Sequence, residues 1–158
     1  MSFEELENID TSKFPVGRLI SMISKGQQIY LNHHLKDLGI NSSQLHLLFE
    51  ISNQSNINQE KIAKRCNINK GAVARSIKKL EDNELVIREI DEANRRQNKI
   101  SLTQKGKVVL NDSIEVLDKW ESEVFKNFSK ENKQLLNESL KEVFIQAIEL
   151  NYGETCNE

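Results

Sequence analysis

The stretch NINKGAVARSIKKL, residues 67–80, combines small and cationic side chains at helical spacing. If Val73, Ile77 and Leu80 pack inward, the opposite side of the helix carries Gly71, Ala74, Arg75 and Lys78. Lys70 and Lys79 are further basic residues of the same stretch. Small residues let a helix approach base edges closely. The planar guanidinium of arginine can donate two hydrogen bonds to the O6 and N7 of guanine. Lysines are flexible point charges that suit phosphates. The pattern predicts a helix that reads a DNA groove, and the alternative is a solvated basic face.

A second basic cluster lies between two short β-type runs, LVIREI and KISL. Eight residues, DEANRRQN, of which all but Ala93 are polar, separate these runs. This spacing predicts a hairpin with a long basic tip. Asn94, Arg95 and Arg96 belong to that tip. Because narrow minor grooves attract arginine, we expect these residues to contact a minor groove or its flanking phosphates.

Charge is concentrated around these two clusters, although the chain of 158 residues has a net charge of −2. Between Lys61 and Lys107 we count 13 basic and 6 acidic side chains, a local charge of +7, against −9 for the remaining residues. A basic block inside an acidic chain is typical of a local nucleic-acid interface, which the whole-chain charge conceals.

Local signals predict the elements that position these residues. Apolar periodicity and a Gly39 C-cap predict a first helix from about Pro15, and a tight turn at Asn67 calls for a left-handed residue. Helix N-caps are predicted at Asn41, Asn58, Asn69, Thr103 and Ser129. The predicted fold is mainly α with a small two-stranded β wing, and its two short central helices form a helix-turn-helix.

These features resemble the MarR family of winged-helix transcriptional regulators. The resemblance covers roughly residues 15–150 and is most specific at Arg75, Arg96 and the LTQKG segment that opens the fifth helix. It implies a single MarR-type domain over 1–158. Its parts would be dimerisation helices at 14–38 and 104–150, a winged helix-turn-helix DNA-binding lobe at 41–102, a recognition helix at about 69–83 and a wing at about 86–102.

Two residues depart from the family pattern. Asn94 stands where the family usually has an aspartate that pairs with the wing arginine. Glu84 stands where a glycine commonly ends the recognition helix, and Asn83 is the alternative residue to take the left-handed conformation there.

Apolar residues of the first and last helices would be exposed on a monomer. They include Val16, Leu19, Ile20, Ile23, Leu140, Phe144 and Ile148. A twofold homodimer would bury them and would present one reading helix to each half-site of a pseudo-palindromic operator in double-stranded DNA.

Other chemistries have weaker support. In the MarR family, effector pockets lie between the dimer helices and the DNA-binding lobe. The resemblance therefore makes three residues candidates for contacts with a small-molecule effector: Tyr30, His33 and Trp120. The alternative for each is packing or solvent exposure. The three histidines lack the convergent spacing of a metal site, and Cys66 occupies a slot that suits a buried structural thiol. No cofactor motif, catalytic pair or membrane segment is evident, so we expect a cytoplasmic protein that is not an enzyme.

The sequence thus predicts a homodimeric, sequence-specific DNA-binding regulator, a repressor released by a small ligand such as an aromatic acid. The alternatives are a winged-helix regulator without an effector, an activator and a protein-interaction module.

Overall fold

The computed structural model describes residues 7–10, 12–54, 56–90 and 98–152. The described chain forms two compact units, one ending at Trp120 and the other beginning at Glu121. In chain order the helices are α1 (Val16–His34), α2 (Ser42–Asn53), α3 (Gln59–Cys66), α4 (Lys70–Asp82), α5 (Gln104–Val124) and α6 (Lys130–Tyr152). The strands are β1 (Ile57–Asn58), β2 (Val86–Ile90) and β3 (Asn98–Leu102).

Side-chain caps form at all five positions where the sequence predicts them, whereas α1 begins after Pro15 without a side-chain cap. At α2 the Asn41 side chain accepts the Gln44 N–H while the Gln44 side chain accepts the Asn41 N–H, which completes a capping box. The other predicted caps accept one backbone N–H each, at Asn58, Asn69, Thr103 and Ser129. Such caps satisfy donors that have no partner within the helix.

The core of the first unit lies between α1 to α4 and the sheet. Its fully buried side chains, all less than 2% exposed, include Leu35, Leu48, Ile51, Ile57, Ile62, Ile77, Leu80, Leu85 and Ile100. The predicted inward face of α4 is confirmed, since Val73, Ile77 and Leu80 are each at most 1% exposed. Because this core anchors α4 on one side only, its opposite side is turned to solvent.

The sheet has three antiparallel strands in the order β1-β3-β2, so β3 lies in the middle. Val86 of β2 pairs with Leu102, and Ile90 pairs with Asn98. The short strand β1, in which Ile57 pairs with Ile100, was not predicted. It joins the wing to the segment that precedes α3, so the wing and the helix-turn-helix share one sheet.

Helix α1 ends earlier than predicted, at His34, and a 3-10 turn (Lys36–Leu38) follows it. Gly39 then adopts the predicted left-handed conformation, with φ +73°, and ends that turn rather than the α-helix itself.

At the end of α4 the left-handed residue is Glu84, and the alternative that Asn83 takes this conformation is wrong. Glu84 has φ +61°, whereas Asn83 has φ −85°. The N–H of Leu85 donates to the Leu80 carbonyl at 2.8 Å, and this six-to-one hydrogen bond requires the left-handed residue at Glu84. The Asn83 amide instead donates to the Gly39 carbonyl at 3.1 Å, which ties the end of α4 to the loop before α2.

Replacing Glu84 by glycine should therefore raise the free energy of unfolding by about 1 kcal/mol, since it relieves the left-handed strain of a residue with a Cβ. The cost of losing its exposed ion pair with Lys105 is small. The matched control is Asn83→Gly, which relieves no strain, removes the bond to Gly39 and should lower stability. Chemical denaturation of both variants tests this, and an Asn83→Gly variant more stable than Glu84→Gly would contradict it.

The junction between β3 and α5 packs closely against the turn that follows α4. The Thr103 hydroxyl donates to the Glu84 carbonyl at 2.7 Å and also accepts the Gly106 N–H at 2.9 Å. The Thr103 N–H donates to the Leu85 carbonyl at 3.0 Å. A Cβ at Gly106 would lie 2.0 Å from that same carbonyl oxygen. The LTQKG segment thus has a physical role, because its threonine and glycine seat α5 on the end of α4.

The second unit contains the last turn of α5 and all of α6. Phe125 and Phe128 meet edge to face, with ring centroids 5.3 Å apart, and the Lys133 ammonium lies 5.2 Å from the Phe125 ring centre. Apolar side chains along α6 are exposed, among them Leu135, Val143, Phe144, Ile148 and Leu150.

Candidate nucleic-acid interface

The tight turn between α3 and α4 sets the direction of α4. Asn67 takes the predicted left-handed conformation, with φ +51° and ψ +44°, and its N–H donates to carbonyls of the last turn of α3. The Asn69 side chain then accepts the Gly71 N–H at 2.8 Å. Two asparagines thus provide the turn and the cap that hold α4 across α3, as a helix-turn-helix requires.

The outward face of α4 contains the predicted contact residues. Gly71, Arg75 and Lys78 are exposed, as are Lys70 and Lys79, while Ala74 is half-buried. Side chains of a helix lean toward its N-terminus, and the Arg75 guanidinium accordingly lies near Gly71. A Cβ at Gly71 would be 3.8 Å from Arg75 Nη1 and 3.1 Å from Asn69 Oδ1. Glycine at this position therefore leaves room for both the arginine and the cap.

Arg75 differs from its lysine neighbours in its partners. Its guanidinium has no hydrogen-bond or ion-pair partner among the described residues. Five N–H donors in a planar fork are therefore available to a bidentate acceptor.

The lysines at the two ends of α4 have carboxylate partners. Lys70 pairs with Glu60 of α3, and Lys78 Nζ lies 2.6 Å from the Asp82 carboxylate one turn along the helix. The hydrogen bond from Lys70 lowers the pKa of the Glu60 carboxyl, and the hydrogen bond to Asp82 raises the pKa of the Lys78 ammonium. Both shifts favour the charged form, so the Glu60 carboxylate and the Lys78 ammonium are ionised near neutral pH.

The predicted wing tip, with Asn94, Arg95 and Arg96, lies outside the described residues. The strands that lead to it are described as far as the Ile90–Asn98 pair. The contacts predicted for these three residues therefore remain predictions.

Sequence reasoning gave no individual role to Arg88 on β2. Together with Asn58, Glu60, Lys70 and Asn98 it lines an open cleft of about 310 Å³ beside the start of α4. Arg88 Nε lies 3.3 Å from the Glu81 carboxylate, yet this nitrogen is buried without a hydrogen-bond partner. The separation permits charge attraction, whereas the angle is too poor for a hydrogen bond. The position of Arg88 beside α4 could be predicted only from its pairing with Ile100, and that pairing depends on the register of β2 and β3.

Cys66, at the end of α3, is half-buried against the core. Burial raises the pKa of its thiol, Glu50 raises it further, and Arg65 partly opposes them. A thiol held in its protonated form is a poor nucleophile, which fits the structural role expected from the sequence.

Of the three candidate effector residues, Tyr30 lines a cleft between α1 and α5 within the first unit. His34, Asp112, Glu115, Val116 and Lys119 complete its lining. The rings of Tyr30 and His34 are 4.1 Å apart. His33 is exposed and touches the edge of His34, and Trp120 is half-buried, but neither lines this cleft.

Over residues 7–10, 12–54, 56–90 and 98–152 we find no group of three or more His, Cys, Asp or Glu side chains that could hold a metal ion. Within the same residues no helix is long and apolar enough to cross a membrane.

Comparison with known proteins identifies the family. The sequence profile of the MarR family matches residues 40–97. The HTH-type transcriptional regulators YybA and YdgJ of Bacillus subtilis (strain 168) are 35% and 31% identical to the chain, over 58% and 62% of its length. These matches span 61% and 60% of those two proteins, about three fifths of their length.

A solved structure matches over more of the chain. The MarR transcriptional regulator of Methanosarcina mazei Go1 is 31% identical, covers 85% of this chain and 97% of its own, and superposes with a TM-score of 0.79. The family and these relatives are transcriptional regulators rather than enzymes. With the helix-turn-helix, the three-stranded wing sheet and the long flanking helices in place, the chain belongs to the MarR family.

Proposed function

We propose that the chain is a homodimeric, sequence-specific DNA-binding transcriptional regulator, a repressor whose hold on DNA is relaxed by a small ligand. The observation that carries this proposal is the outward face of α4. There Arg75 is exposed and has no partner among the described residues. Gly71 beside it has no side chain, and the opposite side of the helix is buried in the core. A DNA-binding regulator works where the DNA is, so we place it in the cytoplasm.

In the proposed mechanism each α4 enters a major groove and Arg75 reads a guanine. Lys70, Lys78 and Lys79, with the wing residues Asn94, Arg95 and Arg96, contact phosphates or the adjacent minor groove. Selection from a random-sequence DNA library tests this. It should enrich an inverted repeat whose half-site centres are about 10 base pairs apart, one helical turn. Recovery of unrelated sequences, with no repeat, would reject the proposal.

Homodimerisation is supported by the apolar surface of α1 and α6. In α1, Val16, Ile20 and Ile23 are between 40% and 57% exposed, and in α6 the Phe144 side chain is 64% exposed. Apolar side chains at this density on a helix usually mark an interface.

Phe144→Glu should therefore weaken the dimer by at least about 100-fold, because it places a charge where an aromatic ring would be buried. The control is Ile90→Glu, a residue of β2 with 66% exposure that lies on neither helix and should leave the dimer intact. Analytical ultracentrifugation distinguishes the outcomes. A wild-type chain that sediments as a monomer at micromolar concentration would reject the dimer.

The cleft between α1 and α5 supports a role for Tyr30 in binding an aromatic effector, since the rings of Tyr30 and His34 offer surfaces for stacking. Its charges are Asp112, Glu115 and Lys119, two carboxylates against one ammonium. This balance favours a neutral or cationic aromatic compound over the aromatic acid considered from sequence. His33 and Trp120 remain weaker candidates because they lie outside this lining.

A further inference from the structure

The two ion pairs on α4 have little value as stabilising contacts. The side chains of Lys70 and Glu60 are 71% and 63% exposed, and those of Lys78 and Asp82 are 64% and 56% exposed. Exposed pairs of this kind contribute little to folding because water and salt screen them. Asp82 also ends α4, where the helix dipole disfavours a carboxylate. Its presence there therefore calls for another explanation.

In these pairs the carboxylates bind the two ammonium groups that face the proposed DNA partner. A lysine contributes to non-specific DNA affinity by neutralising a phosphate and releasing condensed counterions. An ammonium already bound to a carboxylate of its own chain must first exchange that partner for the phosphate. Arg75, with no described partner, makes no such exchange when it contacts a base.

We propose that Glu60 and Asp82 are internal counter-ions that restrain Lys70 and Lys78 and thereby weaken the binding of arbitrary DNA. The inference rests on the proposed function, and it names how the non-specific DNA affinity of that site is limited. On scrambled DNA affinity depends on charge alone, so weaker lysine contacts lower all of the affinity that is available. On the operator the contact of Arg75 fixes the register and supplies further affinity that the carboxylates do not oppose.

The test compares Asp82→Asn and Glu60→Gln with the wild type on scrambled double-stranded DNA over a range of salt concentrations. Each variant should bind more tightly, by roughly 10-fold per restored phosphate contact at 0.1 M salt. The factor follows from the slope of log affinity against log salt, which is about 0.9 per contact. In a dimer, each variant should also steepen the slope of log affinity against log salt by about 1.8, from two restored contacts.

Glu123→Gln is the matched control. It removes one negative charge, as the other variants do, from an exposed ion pair with Lys126 in the second unit. If Glu123→Gln increased the affinity for scrambled DNA as much as Asp82→Asn does, overall charge would explain the effect and the inference would be wrong. A double-mutant cycle adds a second check, since Asp82→Asn should have no effect in a Lys78→Ala background.

An NMR titration of the free protein tests the pair independently of DNA. Asp82→Asn should lower the pKa of the Lys78 ammonium, because the hydrogen bond to Asp82 is the main cause of its elevation. Failure of the wild type to bind any DNA at low salt would overturn the proposed function together with this inference. Normal binding of the wild type, with both variants unchanged, would overturn this inference alone.

Discussion

Gly106→Ala is expected to lower the free energy of unfolding by about 3 kcal/mol, the upper part of the range for an inserted methyl group in a packed site. The new Cβ would lie 2.0 Å from the Leu85 carbonyl oxygen and 2.9 Å from its carbon. Both are backbone atoms, so no side chain can turn away to make room. Either α5 must move off the turn after α4, or the hydrogen bonds from Thr103 to Glu84 and Leu85 must break.

Gly26→Ala is the control for this prediction. Gly26 lies on the exposed side of α1, and a Cβ there meets nothing within 4 Å. The same substitution should raise stability by about 0.5–1 kcal/mol, because alanine favours the helix more than glycine does. Urea denaturation of the two variants measures the difference. Equal stabilities would show that α5 is not seated on the Leu85 carbonyl.

Arg75→Ala is expected to reduce operator affinity by about 1–3 kcal/mol and to relax the preference for one base pair per half-site. The reason is the loss of a planar fork that has no described partner within the protein. Arg75→Lys is the sharper control, because it keeps the positive charge but loses the bidentate geometry. It should lose nearly as much operator discrimination as alanine does, while its affinity for scrambled DNA stays close to that of the wild type.

Titrations of both variants on operator and scrambled DNA separate base reading from charge attraction. If Arg75→Ala weakened the two DNAs equally, or if Arg75→Lys kept full discrimination, α4 would be acting as a charged rod rather than as a reading helix.

Features fixed by neighbours in sequence were predictable. The caps at Asn41, Asn58 and Asn69 depend on backbone groups two or three residues away, and all three form. The inward face of α4 followed from helical periodicity in the same way. The pairing of Lys78 with Asp82 is also a local, four-residue relation, and it could have been predicted from the sequence.

Features that depend on long-range packing were missed. Strand β1 is two residues long, and only its pairing with β3 defines it. The role of Gly106 depends on the Leu85 carbonyl, and the partner of Lys70 lies on the preceding helix. The left-handed residue is Glu84 rather than the alternative Asn83, because Leu85 is buried in the core and its N–H donates to the Leu80 carbonyl.

The most direct test of the account is the affinity of the wild-type chain for a selected operator and for a scrambled duplex of equal length and composition. Fluorescence anisotropy at about 0.15 M salt, the physiological ionic strength, is sufficient for both measurements. If the α4 helices of a dimer read sequence, the operator should bind at least about 1,000-fold more tightly, as specific regulators do. Equal affinities for the two duplexes would contradict the account.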